Sequence, residues 1–152
     1  VHVIVMPGNH DRSAMFHLGD ALECWYRNDE NVTVDNDDKL RKYYTYGQNA
    51  FGITHNDTIK QDKLVQMGLV EYGEKWGAAK RRFWFTHHVH HLKVQNVQGQ
   101  EIWTFPSISG SDDFHQSHGY VGSTRTSLAM MFSEDNLEAV FQSQPIEDKD
   151  YQ

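Results

Sequence analysis

The chain holds a single cysteine, Cys24, so no internal disulfide can form and a reducing, cytoplasmic setting is expected. Proline is almost as scarce, at three residues, which excludes collagen-like and proline-rich extended chains. No stretch approaches the roughly 18 consecutive apolar residues of a membrane span, and the N-terminus lacks the zones of a signal peptide. There is no internal repeat. Basic residues are outnumbered, with Lys and Arg together 14 against 21 for Asp and Glu, a net charge of -7. That balance works against tight non-specific binding to nucleic acid, which rests on cations neutralising phosphates, while leaving room for a local basic patch or a bridging metal.

What remains is ordinary globular material, 38% hydrophobic and 23% charged over 152 residues, enough for one domain with a sizeable core. Histidine is the exception: there are 10, and His87, His88, His90 and His91 crowd one short stretch. The chain opens at Val1 inside a strand-like run, which raises the expectation of a piece whose N-terminal portion is missing.

Periodicity predicts a mixed α/β order. Residues 3–6 form a β-branched run ended by Pro7-Gly8, followed by Asn9-His10-Asp11 and a helix carrying Met15, Leu18, Leu22 and Trp25, with Asp11 or Ser13 as its cap. Residues 28–41 read as polar loop. Strands are expected at 43–46 and 50–54, then a helix over 58–76 opened by a Thr58–Gln61 capping box, with Val65, Leu69, Tyr72 and Trp76 on its apolar face and Gly77 at its end. A strand at 82–85 leads into the histidine stretch. Hairpins are expected at 92–97 with 101–105 and at 126–132 with 137–142, separated by a loop over 106–122. Residues 1–143 then make one domain, and 144–152 an acidic, frayed tail. Trp76, Trp84, Trp103 and Cys24 read as core, and Lys80-Arg81-Arg82 as a solvated charge run or a backbone-binding patch.

Three polar clusters fall at predicted strand ends: Asn9-His10, His55 and His88/His90. In open α/β sheets ligands gather at the carboxyl ends of strands. Residues two apart in extended chain share a side, so His88 and His90 are expected to aim into one site. Imidazole, amide carbonyl and carboxylate together suit Mn, Zn, Fe or Ni. Alone, Asn9-His10 equally suits a turn, His55 a satisfied histidine near a helix start, and His88/His90 a solvated run. His87 and His91 are expected to point off the site, and Asp11 to cap its helix.

Gly8-Asn9-His10-Asp11 resembles the GNH[D/E] motif of calcineurin-like metallophosphoesterases. His55 in Thr54-His55-Asn56-Asp57 resembles that family's lone downstream histidine, and His87-His88-Val89-His90 its GHxH motif with His87 where glycine normally stands. The resemblance runs from residue 1 to about residue 110. It implies a β-sandwich flanked by helices (αββα) and a centre of two divalent ions, Mn foremost, with Zn, Fe or Ni as alternatives. On it, Asn9, His55 and His88 would ligate one ion, His90 the other, and His10 would stabilise charge or protonate the leaving oxygen. The substrate class implied is a phosphoester, with phosphodiesters such as DNA, RNA or nucleotides foremost, so that nuclease, phosphodiesterase and DNA-repair exonuclease activities come into view.

The family's DxH and GDxxD motifs, which lie upstream of GNH[D/E], are absent. Asp113-Phe114-His115 and Gly19-Asp20 with Glu23 are local look-alikes; the second pair falls inside a predicted helix. His115 and His118 lie in the long loop, within conceivable reach of a substrate, and Asp112 and Asp113 read as solvated. The hydrolase expectation belongs to a full-length parent, and this chain alone is expected to be inactive. Its two rivals are a catalytically incomplete binding or assembly module with at most one weak metal site, and a mononuclear His-rich module. A strand at Val1–Met6 missing a neighbour would also favour self-association or pairing with the missing N-terminal portion.

Overall fold

The computed structural model describes residues 1–108 and 126–143. Its central element is a five-stranded mixed sheet in the order β3-β4-β5-β7-β6. The strands are β3 (Lys42–Tyr46), β4 (Asn49–Ile53), β5 (Arg81–Thr86), β6 (Lys93–Val97) and β7 (Gln100–Thr104). β4, β5 and β7 run parallel, and β3 and β6 are antiparallel edges closing the two hairpins. The β6–β7 turn holds Gln98 and Gly99 at φ 52 and 75, the doubly left-handed pair of a tight hairpin turn.

Alternation along these strands separates two apolar faces. On one, Ala50, Trp84 and Ile102 pack under helix α2 (Gln61–Ala78) through Leu64, Val65 and Trp76, all buried. On the other, Phe51 and Phe83 stack at 5.6 Å and meet Phe132 edge-on at 4.9 and 5.2 Å. Phe132 belongs to a separate hairpin, β8 (Leu128–Phe132) with β9 (Leu137–Gln142). Its turn is tied to the main sheet by Asn49 Nδ2, which donates to the carbonyls of Ser133 and Glu134.

A third, two-stranded parallel sheet pairs β1 (His2–Ile4) with β2 (Thr33–Asp35) through helix α1 (Arg12–Tyr26). β2 lies inside the stretch expected to be loop. It is three residues long and flanked by acidic and amide side chains, so its pattern was too short to register. The small sheet is docked by Lys42, whose side chain is 2% exposed and whose Nζ donates to the Asp35 carboxylate at 2.7 Å and carbonyl at 2.8 Å. No helix among the described residues is long and apolar enough to cross a membrane.

The mixed α/β class and the predicted strands and helices are present, with several local corrections. Cys24 is exposed, since Gly19 is the only residue that α1 buries, against Asn36. Trp103 is half-buried. Leu69 is exposed and Leu64 and Gly68 take the inner face of α2, because Gly73 (φ 51, ψ -123) breaks the helix and swings Trp76 back over Gly68. No side-chain cap forms at Thr58: the N-cap is Lys60 and the helix starts at Gln61, ending at Ala78. Arg82 donates to the Trp76 and Gly77 carbonyls, closing the end of α2, and Arg81 lies 3.9 Å from Glu101, so neither is a freely solvated charge. The long loop from 109, with Asp112, Asp113, His115 and His118, and the tail from 144 lie outside the described residues.

Two substitutions test this packing. A Cβ on Gly68 would stand 2.2 Å from the buried Trp76 ring. Alanine favours a helix by about 1 kcal/mol, but overpacking a rigid core costs roughly 1–3 kcal/mol. Gly68→Ala is therefore expected to be net destabilising in urea titration, and an unchanged or raised midpoint would refute the close approach. Asp35→Asn, which leaves the Lys42 ammonium buried without its counter-charge, is expected to cost about 3 kcal/mol in the same measurement.

Candidate functional site

Register brings the site together. Ile53 pairs with Phe85 at the carboxyl ends of the parallel strands β4 and β5, and the ladder continues as Thr54 N donates to Phe85 O and His87 N to His55 O. His55 and the histidine stretch must therefore emerge side by side. A buried Thr86–Thr104 hydroxyl pair at 2.9 Å and the bond from Phe105 N to Thr86 O pin the same end of β5 and β7. Docking of the small sheet brings the turn after β1 to this edge. Gly8 lets it approach: a Cβ there would lie 3.2 Å from His55 Cε1.

Asn9, His55 and His88 converge. Asn9 Oδ1 is 2.9 Å from His55 Nε2, and His88 Nδ1 is 3.3 Å from the same nitrogen. The His55 and His88 rings meet edge to face, 5.2 Å apart. An imidazole nitrogen has one in-plane direction for a hydrogen bond, either one lone pair or one N–H. His55 Nε2 is shared between two partners and cannot satisfy both. Donors about 2.1 Å from a common ion stand about 3.0–3.4 Å apart in octahedral or tetrahedral geometry, close to these separations. The donor set, two imidazoles and an amide oxygen, suits one divalent cation.

His90 enters differently from the expectation. β5 ends at Thr86, and His88 and His90 both have left-handed backbones, at φ 70 and 55, so strand alternation does not place them. Asn56, beside His55, is left-handed too, at φ 61. Non-glycine residues in this region carry roughly 1–3 kcal/mol of strain each and cluster where a site demands a special backbone. Among the described residues no three His, Cys, Asp or Glu side chains converge, so a cage for a second ion is not assembled from them. His10 sits exposed in the turn beside Asn9.

The neighbours have other duties. Asp11 occupies the N-cap position of α1, but its Oδ1 accepts from Gly8 N at 2.6 Å, so it closes the turn and caps no helix amide. His87 packs edge-on against Phe105, and His91 Nδ1 donates to the Val89 carbonyl at 2.9 Å. Asp20 and Glu23 lie exposed on α1. Sequence reasoning passed over Asn56, Arg12 and Arg41, which line a shallow cleft next to Asn9 and His55. An asparagine following the site histidine was the available signal, since asparagine tolerates left-handed backbone.

A scan against protein-family models, a search of the curated proteins and a search of the solved structures find no match to this chain.

Burial holds the His55 and His87 imidazoles below their ordinary value of 6.5, with the neighbouring His88 adding to the effect at His55 and His55 adding to it at His87. Both favour the neutral form, the form that binds metal. The unfolded chain then takes up protons near pH 6.5 that the folded chain resists, so their contribution to stability is complete above that pH and is lost as pH falls through the folded values. Denaturant midpoints are expected to fall between pH 7.5 and 5.5, and to fall less in His87→Phe, which keeps the ring packing. An identical pH slope in that variant would show that the His87 imidazole does not carry the effect.

Proposed function

We propose that the chain carries the metal-binding part of a phosphoester hydrolase of the calcineurin-like kind, acting on phosphodiesters in the manner of a phosphodiesterase or nuclease. The observation that carries this reading is the meeting of Asn9 Oδ1, His55 Nε2 and His88 Nδ1 at 2.9 and 3.3 Å, from turns that follow three different strands. Order along the chain, position at strand ends and donor chemistry all agree with the motifs the sequence resembles.

A divalent ion, Mn foremost and Zn, Fe or Ni as alternatives, would supply charge neutralisation at the phosphoryl group and a more acidic water. The chain's own residues then do the following. Asn9, His55 and His88 hold the cation with neutral donors, leaving its positive charge undiminished for the phosphate. His10, in the same turn as Asn9, is placed to give its proton to the leaving oxygen as the P–O bond breaks and a water oxygen bonds to phosphorus. The resemblance assigns His90 to a second ion.

A second reading, a binding or assembly module with one weak metal site, is favoured because no group of three or more His, Cys, Asp or Glu side chains able to hold a metal ion forms among the described residues. Pairing with another chain belongs to either reading, because β1 is flanked by β2 on one side only in its two-stranded sheet.

Calorimetric titration of Mn²⁺ into the metal-stripped chain, with hydrolysis of bis-p-nitrophenyl phosphate beside it, separates the two. The hydrolase reading expects Mn²⁺-dependent turnover that falls at least tenfold in His88→Ala and Asn9→Ala (about 1.4 kcal/mol or more of transition-state stabilisation). Metal uptake that depends on His55 and His88 without turnover would support the module. No uptake would leave neither standing.

A further inference from the structure

Beside the Asn9–His55 contact lies a cleft between the turn after β1, the segment entering β3 and the turn after β4. Its volume is about 20 Å³, room for one small polar group. Two arginines line it, Arg12 from the first turn of α1 and Arg41 from the residue before β3. They are far apart in sequence, and the docking of the small sheet is what brings them to one cleft.

Arg41 is held for the purpose of presenting one edge. Its Nε donates to both Glu71 oxygens at 3.0 and 2.9 Å and its Nη2 to Oε1 at 2.6 Å, while Tyr43 donates its hydroxyl to the same carboxylate at 2.8 Å. The Nη1 amine has no partner among the described residues. Arg12 has none there either. A guanidinium fixed along one edge by a carboxylate retains donors on the other in a planar fork, the geometry that recognises phosphate and carboxylate. Asn56 also lines the cleft, and its Oδ1 is buried with no partner among the described residues, an acceptor that a hydroxyl on a bound group would satisfy. Asp57 is the one carboxylate in the lining, and with Glu71 it offsets the two arginines, so recognition rests on hydrogen-bond donors more than on net charge.

We propose that Arg12 and Arg41 form an oxyanion subsite beside the Asn9–His55–His88 cluster. Resting on the hydrolase reading above, its occupant is a second phosphate of the substrate, which makes the substrate a phosphodiester bearing a further phosphate, as nucleotides and oligonucleotides do. A diester with two neutral substituents would leave the cleft empty.

The test is free of metal and of turnover, so it stands apart from the hydrolysis assay. Inorganic phosphate is titrated into the metal-stripped full chain at constant ionic strength, followed by amide chemical shifts at Gly8, Asn9 and Asn56. Saturable binding in the millimolar range is expected. It should weaken roughly fivefold or more in Arg12→Gln and in Arg41→Lys, which keeps the charge facing Glu71 but loses the fork. It should persist in His88→Ala. Absence of saturable binding, binding unchanged from the parent chain in either arginine variant, or dependence on His88 and not on the arginines would each overturn the subsite. Arginine-dependent phosphate binding in a chain that hydrolyses nothing would retain the subsite and remove the hydrolase.

Discussion

The buried Lys42 ammonium is the constraint on which the arrangement of the site depends. It sits in the edge strand of the main sheet with its side chain 2% exposed, and its neighbours in space are the carboxylate and carbonyl of Asp35, from another sheet. A buried charge without a partner costs several kcal/mol, so the small sheet has little freedom to leave. The turn carrying Asn9 and the first turn of α1 carrying Arg12 are appended to that sheet. This ion pair thus places both an amide oxygen and a guanidinium beside the histidines. Its value lies in position more than in net stability, since buried ion pairs repay their desolvation only in part.

The histidines are placed by a different rule. Parallel pairing of β4 with β5 puts both carboxyl ends at one edge, and the connection through α2 is what a parallel pair requires. Packing of Trp84 and Ala50 under α2 fixes the register, because a one-residue slip would send Trp84 to the opposite face, where the phenylalanine cluster lies. Beyond the strand ends, backbone geometry takes over: left-handed residues at Asn56, His88 and His90 bend the exits back on themselves. Core packing sets where the site is, and turn strain sets how its side chains meet.

This division explains what the sequence disclosed. The strands of the main sheet, both hairpins and both helices were legible, because their apolar residues recur with the period of the element and are bounded by glycine or polar turns. The meeting of Asn9, His55 and His88 was legible through motif order and through their position at strand ends. β2 was not, since three residues among acidic neighbours carry no period. On α2, Val65, Tyr72 and Trp76 reach the core as their spacing implied, while Leu69 points outward because the inner face runs through Leu64 and Gly68. Cys24 was read as core on the assumption that an apolar stripe is covered, yet Trp25 beside it is 83% exposed. Arg12 and Arg41 escaped notice for a plainer reason: a cleft built by docking two sheets leaves no local pattern in either segment.

Charge gives the site its chemical character. The chain is acidic overall, at -7, yet the residues meeting at the strand ends are an amide and two imidazoles, and burial lowers the His55 imidazole below its ordinary value, favouring its neutral form. A cation held by neutral ligands keeps its full charge for an anionic substrate, whereas carboxylate ligands would cancel much of it. Arg41 is paired with Glu71 behind the cleft, so its free edge offers directed hydrogen bonds with little net field of its own. Attraction for a phosphoester would then depend on the metal being present, while the arginine fork would select among anions by shape. On the proposed reading, such a site would bind phosphate weakly when empty and gain affinity when loaded, because an uncancelled cation would then act beside the arginine fork.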